Sequence, residues 1–131
     1  MPANTAPIFP VTPVIGVANI STANTARTAT GVTNLTLVRA GGTNGTRIDQ
    51  VSIQATGTTT AGMIRLWLFS GTGNAQLFHE ELVSAITPSA SVAAYTTDIT
   101  YSNLVIPSGW SLYASTEKSE AFVVMAFGGD Y

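Results

Sequence analysis

The chain has 131 residues, enough for one domain that buries roughly two-thirds of its unfolded surface. Five basic and seven acidic residues give a net charge of −2, without the clustered cations that nucleic acid demands as a partner. Charged residues make up only 9 %, against about a quarter in ordinary soluble domains, so other protein is expected to cover part of the surface.

Without cysteine, disulfides and thiolate zinc sites are impossible. The opening Met-Pro-Ala-Asn-Thr shows neither the positive segment nor the apolar stretch of a secretory signal. No apolar run approaches the ~18 residues that span a membrane, so no membrane partner is expected. The sequons at Asn19, Asn34 and Asn44 are what chance gives a chain rich in Thr and Ser.

Residues 1–31 read as an extended N-terminal arm and linker, and 32–131 as the folded domain. Pro7, Pro10 and Pro13 stand among Ile8, Phe9, Val11, Val14 and Ile15. Each proline removes a ladder donor and fixes φ, which favours an extended, non-helical arm. Ordering such a segment costs roughly 1–2 kcal/mol per residue in backbone entropy, so the arm is expected to lie on a neighbouring chain. "STANTARTATG" reads as a polar linker.

From Val32 onward, strand patterns alternate with turn signals. The expected strands are 32–40, 46–56, 63–70, 76–86, 94–101, 104–106, 110–116 and 121–128. Gly-Gly-Thr-Asn-Gly at 41–45, Gly-Thr-Gly-Asn at 71–74 and Pro-Ser-Gly at 107–109 supply the turns. About eight short strands at this spacing make the expected fold all-β: a single β-sandwich, jelly-roll-like. In Phe122–Phe127 both alternating faces are apolar, which marks a central strand covered on both sides.

Gly57 to Gly62 spells G-x-x-x-x-G, the opening of a phosphate-binding loop. The Lys and Ser/Thr that such a loop needs next are replaced by Met63 and Ile64, and a strand follows where a helix belongs. The stretch is a strand connection, and no nucleotide or other cofactor is expected.

Catalytic material is scarce. His79 is the only histidine, which excludes a two-histidine metal site, and it sits among strand residues as a structural His. Glu80 and Glu81 are adjacent in a strand, so they face opposite ways and form no carboxylate pair. Glu117, Lys118 and Glu120 read as a solvated turn rather than a calcium site shared with Asp49. No enzyme activity, metal or small-molecule substrate is expected.

Three stretches carry a resemblance: "ATGTTTAGMIRLWLF", "IPSGWSLYAST" and the ending "AFVVMAFGGDY". Over residues 14–131 the chain resembles the decoration, or cement, proteins of tailed-bacteriophage capsids. The resemblance implies a jelly-roll or related β-sandwich, a homotrimer, and the phage major capsid protein as partner. It implies a place on the virion surface, where such proteins stabilise the shell. The alternative is a tail-fibre or baseplate domain that binds a host glycan through Trp110, Tyr113 or Tyr95, although Trp110 alternates with Leu112 and Ala114 as a core residue would.

A hairpin register in which Ser70 faces Gln76 sets Trp67 opposite His79 and Arg65 opposite Glu81. Met63, Trp67 and Phe69 then share a face with the Arg65–Glu81 pair, and a second subunit is expected to cover it. The candidate subunit or capsid interface is thus Ile8, Phe9, Val11, Val14, Ile15, Met63, Arg65, Trp67, Phe69 and Glu81.

Overall fold

The computed structural model describes residues 9–131, which form eight strands and no helix. They are β1 (Thr12–Ile20), β2 (Thr36–Ala40), β3 (Thr46–Ala55), β4 (Gly62–Phe69), β5 (Gln76–Val83), β6 (Thr96–Ile106), β7 (Ser111–Thr116) and β8 (Phe122–Asp130). Two four-stranded antiparallel sheets result, one in the order β1-β8-β3-β6 and the other β2-β7-β4-β5. The first strand pairs with the eighth, the second with the seventh, the third with the sixth and the fourth with the fifth.

The sheets face each other across one core, as alternation demands. Ala18, Ile48, Val51, Ile53, Val124 and Ala126 come from the first sheet. Val38, Ile64, Leu66, Val83, Leu112 and Ala114 meet them from the second. The G-x-x-x-x-G segment joins β3 to β4, with Thr59 buried and hydrogen-bonded to the Ser84 carbonyl.

Two expectations change. The stretches expected at 94–101 and 104–106 merge into one strand, β6, which starts at Thr96, because a bulge opposite Asp49 absorbs the apparent break. The N-terminal segment is extended as its prolines require, but Thr12–Ile20 is a strand of the domain itself, paired with β8 of its own chain, and the part of the expected arm before Phe9 lies outside the described residues. Pro13 is tolerated there because β1 is an edge strand. β8 is central, between β1 and β3, and runs through Gly128 and Gly129 to Asp130.

Glycine is required where strands approach closely. A β-carbon on Gly128 would stand inside the Arg47 carbonyl, with Ile48 Cα only 3.0 Å away. Gly128→Ala should therefore lower stability by about 1–3 kcal/mol or more in urea unfolding. Gly57→Ala, where a β-carbon meets nothing within 4 Å, should change it little and serves as the control.

Candidate functional site

Both faces of β4 are buried from Ile64 to Trp67. Ile64 and Leu66 enter the core, while Arg65 and Trp67 point outward yet are only 2 % and 0 % exposed. The expected register places this face wrongly by one residue. Arg65 lies opposite Glu80, Ile64 opposite Glu81, and the ladder shifts again between Leu66 and Trp67, where Phe78 is the extra residue. The outward partner of Arg65 is therefore Glu80, and Glu81 turns inward, where His79 Nε2 meets its Oε2 at 3.1 Å.

The cover over Arg65 and Trp67 is the chain's own segment 21–35, not a second subunit. Ala23 bridges Thr116 at the end of β7, and the Asn24 amide donates to the Thr116 carbonyl. Arg65 Nη1 donates to the Asn24 carbonyl at 3.2 Å, Arg65 Nε to Glu80 at 3.0 Å, and Arg27 Nε to the same Glu80 carboxylate. Glu117 Oε2 lies 2.6 Å from Arg65 Nη1 as a charge contact, off the line of a hydrogen bond. Farther along, the Gly31 amide donates to Asn74 Oδ1 and its carbonyl accepts from the Ala75 amide. The polar linker is thus a strap laid across β7, β4 and β5. Beneath it Trp67 Nε1 donates to Ser115 Oγ at 3.0 Å, satisfying the buried indole.

The turn after β7 is likewise engaged rather than solvated. Glu120 accepts from the Thr60 amide and hydroxyl, Glu117 serves Arg65, and Asp49 pairs with Arg47, so the three carboxylates do not converge. Among the described residues no group of three His, Asp or Glu could hold a metal ion.

The remaining candidates fall elsewhere. Ile8 lies outside the described residues. Phe9, Val11 and Ile15 are 68 %, 77 % and 62 % exposed, while Val14 is half-buried on the inner side. Met63, Phe69 and Glu81 are half-buried. The nine described residues therefore do not make one surface, because Val14 and Ile15 belong to the first sheet and Met63, Arg65, Trp67, Phe69 and Glu81 to the second. What sequence reading left out is the company of Ile15 on the outer face of the first sheet. Val17 stands opposite Met125 and Ile15 opposite Phe127, with Val123 beside them. None carries charge, and all five are at least partly exposed. Gln50, Ser52 and Gln54 of β3 flank this apolar stripe. Its signal was the second apolar face of 122–127.

The aromatic candidates divide too. Tyr95 is buried and donates its hydroxyl to the Leu82 carbonyl, and Tyr113 packs edge-on to Phe69. Trp110 is 38 % exposed rather than core. Its amide closes a turn on the Pro107 carbonyl, which holds it outside β7. Tyr101 sits between Phe78 and His79, and burial, then the charge of Glu81, pushes its phenol up to about 12.

No family model, curated protein or solved structure matches this chain.

Two measurements check this arrangement. Trp67→Ala should cost about 3–5 kcal/mol of domain stability in denaturant titration, as for a buried indole, without first changing the oligomeric state. The second concerns acid. Partial burial pushes the Glu80 carboxyl up, but the hydrogen bonds and charges of Arg27 and Arg65 outweigh it and hold the group below its ordinary 4.5. The Thr46 hydroxyl, opposed by partial burial and helped by Arg39, holds Asp130 below 3.8. Groups so depressed stabilise the fold fully above those ordinary values and lose that contribution as pH falls through their folded-state values. Urea midpoints should be flat from pH 7 to about 5 and fall below pH 4.5, with a shallower fall in Glu80→Gln.

Proposed function

We propose that this chain is a non-enzymatic structural protein of a tailed-bacteriophage virion. It binds the outer capsid surface as an oligomer and stabilises the shell. The observation that carries this reading is the uncharged stripe of Ile15, Val17, Val123, Met125 and Phe127, left open on a domain with only 9 % charged residues. Such a surface favours burial against other protein. The fold is read as a jelly roll. Supporting this are the pairings of first with eighth, second with seventh, third with sixth and fourth with fifth strands, split between two sheets.

A tail-fibre domain that binds a host glycan is the second reading, favoured by the exposed ring of Trp110. Copy number separates them. A capsid protein is present in hundreds of copies per particle, distributed over the head in averaged images, and a tail protein in far fewer at one vertex.

Capsids lacking the protein should take it up again from solution and withstand heating longer before releasing DNA. Met125→Glu should keep its strand spectrum yet cut occupancy about tenfold at a fixed concentration, equivalent to about 1.4 kcal/mol. Undiminished occupancy would remove the stripe from the capsid contact.

A further inference from the structure

Four strands end the two sheets: β1 and β6 in the first, β2 and β5 in the second. A free strand edge offers unpaired N–H and C=O groups to any other chain, and proteins blunt such edges with charge, bulges or shortness. Three of the four are blunted here. β2 has five residues, includes Arg39 and shifts register after Leu37. β5 carries His79, Glu80 and Glu81 and is bulged at Phe78. β6 carries Asp98 and the bulge opposite Asp49. β1 differs. It is nine residues long, has no charge, and keeps an unbroken register with β8 from Thr12 to Ile20. Pro13 is its one blunting residue; β2 approaches its inner face, with Val38 and Arg39 against Gly16, but no described residue pairs with its other side.

β1 also reads nearly the same in both directions about Gly16. Ile15 and Val17 flank it on the outer face, Val14 and Ala18 on the inner. Consider a second copy laid antiparallel with Gly16 on the two-fold axis. Ile15 then meets Val17 of the second copy, and Val14 meets its Ala18, so apolar faces apolar on both sides. Pro13 falls opposite Asn19 of the second copy, toward the end of the paired stretch. The stripes of the two copies become continuous. No like charges meet, and a self-matched edge is what an isologous contact requires.

We infer that two copies pair β1 to β1, antiparallel about Gly16, joining their first sheets into one. The contact makes the oligomer of the proposed function a two-fold dimer in place of the homotrimer that the resemblance implies, and it rests on that reading only for its role there; the edge itself follows from β1. It is tested without a virion. The chain has no cysteine, so Ile15→Cys and Val17→Cys variants report directly. Directly opposed residues have Cβ atoms about 4.5–5.5 Å apart and diagonal ones about 7–8 Å, so only the opposed pair is near disulfide reach. An equal mixture of the two variants should form covalent dimers at least tenfold faster than either alone. Light scattering of the unmodified chain should give a dimer, and Ile15→Lys with Val17→Lys should raise its Kd at least tenfold while circular dichroism stays unchanged. A monomer, a trimer, or equal cross-linking in the mixture and the single variants would overturn the edge contact. Capsid occupancy by the unmodified chain is a separate reading, so a failure of the edge and a failure of the capsid role are told apart.

Discussion

A guanidinium withdrawn from water must find oxygen around its donors, and the outer layer of the second sheet is arranged to supply it to Arg65. Glu80 comes from the next strand, Glu117 from the turn after β7, and the Asn24 carbonyl from the strap. Three parts of the chain distant in sequence are thereby drawn to one point. With that charge satisfied, Trp67 can lie dry beside it, and β4 is closed on both faces from Ile64 to Trp67. The first sheet has no such cover over β1 and β8, where the uncharged stripe therefore stays open.

The scarcity of charge takes on meaning in this light. Arg27, Arg39, Arg47 and Arg65 each pair with a carboxylate of the same chain. Arg39 and Asp130 tie the edge of one sheet to the last residue of β8 in the other. Few ionic groups remain to hydrate the exterior, and a domain so built gains from burying its neutral surface.

Seven of the strands were legible because period-2 alternation and glycine turns mark them directly. β1 was not, since Pro10 and Pro13 within an apolar run describe an arm and an edge strand equally well. The hairpin register failed for a local reason. Loop length suggested a pairing in which Arg65 meets Glu81, but Phe78 bulges out of the ladder and turns Glu80 outward instead. The need to cover the Trp67 face was readable from composition; the identity of the cover was not. A polar segment such as 21–35 looks the same whether it floats in solvent or spends its hydrogen bonds on a sheet.

The nesting of first strand with eighth sets how the domain folds. The core of the first sheet is completed by β8, which lies between β1 and β3, so Thr12–Ile20 has no hydrogen-bonded strand partner without residues 122–130. Completing the first sheet therefore means closing a loop of about a hundred residues between paired strands, which belongs to the slow regime of chains dominated by distant pairings.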